Sequence, residues 1–160
     1  MKPEPSGAGS ADPFDLARFL EAQAGIYAQA LDELRAGQKR SHWMWFVFPQ
    51  FAGLGASATS RRFAIASLQE AREYLRHPTL GARITECTEV VNRLQGRSAR
   101  QIFGAIDEMK FRSSMTLFAL AGGPASEFAA ALQRYFAGEP DIRTVELVGP
   151  AAGDADSGEA

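Results

Sequence analysis

Cysteine is almost missing from this chain: Cys87 is the one thiol among 160 residues. No intrachain disulfide can form, and a reducing compartment, the cytoplasm, is the expected location. Histidine is equally scarce, with only His42 and His77. One thiol and two imidazoles cannot supply the clustered ligands of a zinc centre, and no H-E-x-x-H or C-x-x-C spacing occurs. Neither a metal nor a cofactor is therefore expected. The G-x-S-x-G elbow, the G-x-G-x-x-G turn and the Walker loop are absent too, since Gly53-Leu54-Gly55 runs on into Ala56-Ser57-Ala58. Cys87 lies between Glu86 and Glu89 in a helical pattern, which disfavours a thiolate nucleophile. No apolar run reaches the roughly 20 residues of a membrane span. The first 11 residues lack both the basic start and the apolar stretch of a signal peptide. Excess charge is also lacking: 17 Lys and Arg face 19 Asp and Glu, a formal net of -2. Nothing at whole-chain level draws it to nucleic acid or acidic lipid, and a monomer or weak homodimer is expected.

What remains is a composition of 46% hydrophobic and 22% charged residues, enough for one domain with a real core. Small polar residues without apolar period at 1–11 and 149–160 read as disordered tails around a domain at 12–148. Asp12-Pro13-Phe14-Asp15 has the form of a helix start, and helical spacing continues from Leu16 to Leu34 until Gly37 stops it. Ser57 to Ile65 suits a short helix. Ser67-x-x-Glu70 and Ser98-x-x-Gln101 have capping-box spacing, and His77-Pro78 makes a corner between two helices. Asp107 reads as the cap of a helix from Glu108 to Ala121 that is apolar nearly all round, the mark of a central helix. Pro124 to Phe136 and Asp141 to Val148 complete the series. Trp45-Phe46-Val47-Phe48 is the best strand candidate, but it has no second β-rich run to pair with. The expected fold is all-α, one compact irregular domain of about six to eight helices.

Two segments interleave ionisable groups with large apolar ones. The first, Lys39-Arg40-Ser41-His42-Trp43-Met44-Trp45-Phe46-Val47-Phe48-Pro49-Gln50-Phe51, holds both tryptophans. A Trp face stacks on a planar ligand, cations hold an anionic group, and His42 can move a proton near neutral pH. The same residues also suit a plain aromatic core with Lys39 and Arg40 at a helix C-terminus. The second, Lys110-Phe111-Arg112-Ser113-Ser114-Met115-Thr116, combines two cations with three hydroxyls. Such a group suits a phosphate or carboxylate, or else close helix packing with the cations in solvent. Arg61-Arg62 is a third basic spot, read as a solvated face.

Phe14-Asp15-Leu16-x-Arg18-Phe19, Lys39-Arg40-Ser41-His42-Trp43-Met44-Trp45-Phe46-x-Phe48-Pro49-Gln50, His77-Pro78-x-Leu80-Gly81-x-Arg83, Ile102-Phe103-Gly104 and the Lys110 to Phe118 block together resemble a bacterial family catalogued as domain of unknown function 1810. The resemblance runs from about Asp12 to Leu147 and implies a compact all-helical fold, with no activity and no catalytic residues to carry over. Many members bear an automatic label, calpastatin. That name belongs to a largely disordered inhibitor, which a globular composition does not match. One departure stands out: family members tend to have Leu where Phe111 follows Lys110, so Phe111 either fills core or lines a pocket.

The expected site joins the two segments around a planar anionic small molecule such as a nucleotide or ADP-ribose derivative. Arg40, Ser41, Trp43, Trp45, Gln50, Lys110, Ser113 and Ser114 would bind it. If hydrolysis accompanies binding, His42 is the candidate acid or base and Arg112 the charge stabiliser. The alternative is a protein-interaction module anchored by exposed Trp43, Trp45 and Phe48. Nucleic-acid binding would need Lys39, Arg40, Arg61, Arg62, Lys110 and Arg112 on one face.

Overall fold

The helices begin where short polar side chains can satisfy free N–H groups. In the computed structural model, which describes residues 12–157 and side chains through residue 149, Ser57, Ser67, Ser98 and Ser126 each accept the N–H three residues on. They open α4 (Ala58–Arg62), α5 (Leu68–Arg76), α7 (Ala99–Phe103) and α9 (Glu127–Phe136). The capping box at Ser98 and Gln101 is complete. At Ser67 only half of it forms, because Glu70 turns instead to Ala66 N and to Arg18. The Asp12 carboxylate accepts from Leu16 N and Ala17 N at the start of α1 (Ala17–Gln23).

The first helical run is divided. Gly25, at φ +80°, takes a conformation that L side chains rarely adopt, so α1 ends and α2 (Tyr27–Arg35) starts on a new axis. Trp45 to Phe48 is no strand: Trp45, Phe46 and Val47 lie in the single turn α3 (Met44–Val47), and Phe48 follows at its end. Asp107 is not a cap: α8 (Ala105–Gly122) begins at Gly104, φ +87°, and places Asp107 in its first turn. With α6 (Leu80–Arg93) and α10 (Ile142–Ser157, broken at Gly149, φ +82°) this makes ten helices among the described residues. The added pieces are single turns that periodicity resolves poorly. Most residues of the expected tails, 1–11 and 149–160, lie outside those described in full.

The centre is α8, packed against α5, α7, α9 and α10. Phe111, Met115, Leu117 and Phe118 on it are completely buried. It is apolar nearly all round, as its sequence indicates, but not covered on every side: Ile106, Met109 and Leu120 are exposed. Phe111 stacks on Phe103 at 4.5 Å and meets Phe48 edge-on at 5.2 Å, so it fills core.

Arginines tie distant segments together. Arg18 donates to the carbonyls of Phe14, Asp15, Arg62 and Ala64 and to Glu70 Oε2 at 2.8 Å, joining α1 to the chain between α4 and α5. Gln23 donates to Phe46 O and Tyr74 OH and accepts from Arg83, a buried polar crossing of four segments. Cys87 sits beside Tyr27, and burial pushes its thiol up to about 12, which keeps it protonated.

The His77-Pro78 corner turns tightly because Gly81 has no side chain. A Cβ there would lie 2.0 Å from the Leu75 carbonyl oxygen, which is backbone and cannot swing away. Gly81→Ala is expected to destabilise the protein by at least about 1–3 kcal/mol. Gly122→Ala, whose Cβ would meet only ordinary contacts at 3.4 Å, should be neutral or slightly stabilising. Urea denaturation of the two variants checks this, and equal midpoints would contradict it.

Candidate functional site

Residues 38–43 have no regular structure to absorb their backbone polar groups, and one carboxylate does so instead. Glu33, in the last turns of α2, accepts from Arg40 N at 2.8 Å, Ser41 N at 3.0 Å, Ser41 Oγ at 2.6 Å and Trp43 Nε1 at 2.9 Å. Gln29 Nε2 adds a fifth hydrogen bond. Burial raises the carboxyl pKa, but the donors outweigh it and bring Glu33 from 4.5 down to about 2. Trp43 is thereby drawn fully into the core. Beyond α3 the chain makes an isolated parallel bridge, Phe51 to Ile65, with Ile65 N on Gln50 O and Ala52 N on Ile65 O, both 2.9 Å.

With Trp43 held inside, Trp45 lies half-buried on the other side of α3, over the cation of Lys110 at 4.4 Å. The aromatic segment and α8 therefore touch. Lys39 strengthens the junction: it is almost buried, contacts Asp107 Oδ2 at 2.8 Å and lies over the Trp43 ring. Lys110 reaches Oδ1 of the same Asp107 at 3.2 Å.

Two adjoining depressions open at this junction, sharing Trp45, Gln50, Leu54 and Gly55. One, about 270 Å³, is closed by Phe51, Phe63 and Ala64, with Arg61 at its edge. The other, about 310 Å³, runs along α8 past Lys110, Ser113, Ile106 and Met109 to Asp141 and Arg143. The shared wall contains a defect. Gln50 is 7% exposed, and its Nε2 is buried without a hydrogen-bond partner. An unmade hydrogen bond at a buried donor costs about 1–3 kcal/mol, so native structures seldom retain one without a use.

Of the residues singled out from sequence, Trp45, Gln50, Lys110 and Ser113 line this cleft. Ser113 Oγ donates to Met109 O. Six others are not part of its wall. Ser41 and Trp43 are engaged by Glu33, while Arg40 offers Glu33 only its backbone N–H and leaves its side chain in solvent. His42 is exposed. Arg112 donates to Glu139 O at 3.0 Å and lies over Phe136, on a different side of α8. Ser114 is completely buried in the core with its hydroxyl unpartnered. Trp43 and Phe48 are both 0% exposed, so they form no surface anchor. The six cations of the nucleic-acid reading do not form an open stripe either, since Lys39 and Lys110 share Asp107 and Arg112 pairs with Glu139.

Sequence reasoning missed Glu33, Asp107, Gly55 and Arg143. Asp107 and Lys110 stand at i,i+3 spacing, a signal available in the sequence. Glu33 binds residues seven to ten positions on through an irregular loop, which no periodic pattern reveals.

Stability in acid reports on Glu33. Its folded pKa is depressed, so its contribution is complete above about 4.5 and is lost as pH falls through about 2. Glu33→Gln is expected to cost on the order of 2 kcal/mol at neutral pH. That difference from the native protein should shrink between pH 5 and pH 2. Urea titrations across this range check it, and a constant difference would sink the assignment.

Residues 13–148 match a family described as Protein of unknown function (DUF1810). A solved structure, the conserved hypothetical protein Rv1873 from Mycobacterium tuberculosis, is similar at 55% identity and a TM-score of 0.84, covering 86% of this chain and 98% of that one. No curated protein matches.

Proposed function

The chain belongs to the family described as Protein of unknown function (DUF1810), and for it we propose that the cleft between the aromatic segment and α8 binds a planar anionic small molecule of the nucleotide or ADP-ribose class. The observation that carries this reading is the buried, unpartnered amide of Gln50 in the wall shared by both depressions. A carboxamide carries N–H donors and a carbonyl acceptor in one plane, the complement of the edge of a heterocyclic base. Trp45 supplies a flat apolar surface beside it, and Lys110 and Arg143 supply positive charge. The exposed side chains of Ile106 and Met109 lengthen the apolar rim.

Binding is the whole of the proposal. The positions of His42 and Arg112, away from the cleft wall, lend nothing to hydrolysis by that pair.

A ligand that binds only the native state raises its apparent stability, by about 2.7 kcal/mol at a hundredfold excess over Kd. Thermal-shift assays with ADP-ribose, ADP and AMP should therefore raise the melting temperature of the native chain. Gln50→Met removes the unpartnered donor with little change of volume. It should leave the unliganded protein as stable or slightly more so, and should diminish the ligand-induced shift. Absence of any shift with the native chain, or an undiminished shift in Gln50→Met, would refute the proposal.

A further inference from the structure

The cleft is two-lobed, and its lobes differ in chemistry. The lobe of Phe51, Phe63 and Ala64 is mainly apolar, and the Arg61 cation at its edge is turned onto the Ala56 carbonyl. The lobe along α8 carries net positive charge. Lys110 and Arg143 line it with one carboxylate, Asp141, while Lys110 shares the Asp107 carboxylate with Lys39. The Asp141 carboxylate is occupied by Thr144 N and Oγ1 at the start of α10. Lys39 is 8% exposed and takes the closer contact to Asp107, so Lys110 shares that one carboxylate with a second cation, and Arg143 also lines the lobe.

Between the lobes stands Gly55, which belongs to both walls. Its φ is not in the left-handed region, so a turn does not require glycine there. What requires it is space: a Cβ would come within 2.8 Å of Ser60 Cβ and Oγ and 3.4 Å of Trp45 Cη2. Any side chain at 55 would have to displace Ser60 or Trp45, so glycine is what lets these parts of the two walls close together.

Resting on the binding reading above, we infer that the ligand is bipartite. Its ring lies in the Phe51 and Phe63 lobe against Trp45 and Gln50, and its phosphate reaches into the adjoining lobe toward Lys110 and Arg143. Lys110 then determines specificity for the phosphate. The nucleoside half alone fits the first lobe, so the phosphate adds affinity through groups that the ring never touches.

Calorimetric titration of adenosine and ADP against the native chain and Lys110→Gln tests this. The native chain should bind ADP at least about tenfold more tightly than adenosine, the worth of one charge-assisted hydrogen bond. Lys110→Gln should remove most of that gap by weakening ADP far more than adenosine. The melting temperature of Lys110→Gln without ligand, measured in parallel, shows whether the variant is folded. ADP binding that is no tighter than adenosine, or a Lys110→Gln variant that weakens both equally, overturns the bipartite inference and leaves the binding reading standing. Failure of the native chain to bind either compound or ADP-ribose overturns both.

Discussion

Glu33 is the group on which the aromatic segment depends. An irregular loop must place its N–H groups somewhere, and each one buried without a partner costs on the order of 1–3 kcal/mol. One carboxylate takes two backbone donors, a hydroxyl and an indole N–H from the four residues Arg40 to Trp43. Because the indole is among them, the same interaction that orders the loop fixes Trp43 in the core. Trp43 immediately precedes the turn α3 and Trp45 lies within it, so the two rings take different surroundings. With Trp43 buried, Trp45 lies toward the surface, where Lys110 meets it.

The remaining constraints carry that local decision into the tertiary structure. The Phe51 to Ile65 bridge ties the end of the segment to the chain before α5, and Arg18 locks the same region to α1 through Ala64 O and Glu70. Most of these cations are consumed in structure: Arg18, Arg97 and Arg112 each donate to backbone carbonyls, a use for which the guanidinium fork is better shaped than an ammonium group. Residues that look like a binding inventory in the sequence are therefore largely staples. The cleft is assembled from what is left over, namely Trp45, Gln50, Lys110 and the small residue Gly55.

How much of this was legible depended on the range of the interaction concerned. Caps at Ser57, Ser67 and Ser98 act over three residues, and they mark helix starts in the sequence as they do in the structure. The helical fold and the membership of α8 in the core follow from apolar period in the same way. Gly25 misled because the apolar period continues across it, while its φ of +80° is a property of the backbone alone. Trp45 to Phe48 has strand-favouring residues, but the lack of a second β-rich run in the sequence already argued against a strand, and burial in a helical core satisfies such residues equally well. The isolated Gln50 amide could not have been found at all, since a missing partner is visible only when every neighbour is in place.

The Lys110 to Thr116 run shows why adjacency in sequence misidentifies a helical site. Successive residues of a helix turn by about 100°, so neighbours in the chain diverge, while positions three and four apart share a face. Ile106, Met109, Lys110 and Ser113 keep that spacing, and they are the α8 residues that border the cleft. Phe111, Ser114 and Phe118 keep it too, and all three are completely buried in the core. Arg112 falls between these faces and reaches Glu139 instead. A cluster of two cations and three hydroxyls in seven residues is thus three different surfaces, and of its two cations only Lys110 stands where the Trp45 ring and the Gln50 amide can share a ligand with it.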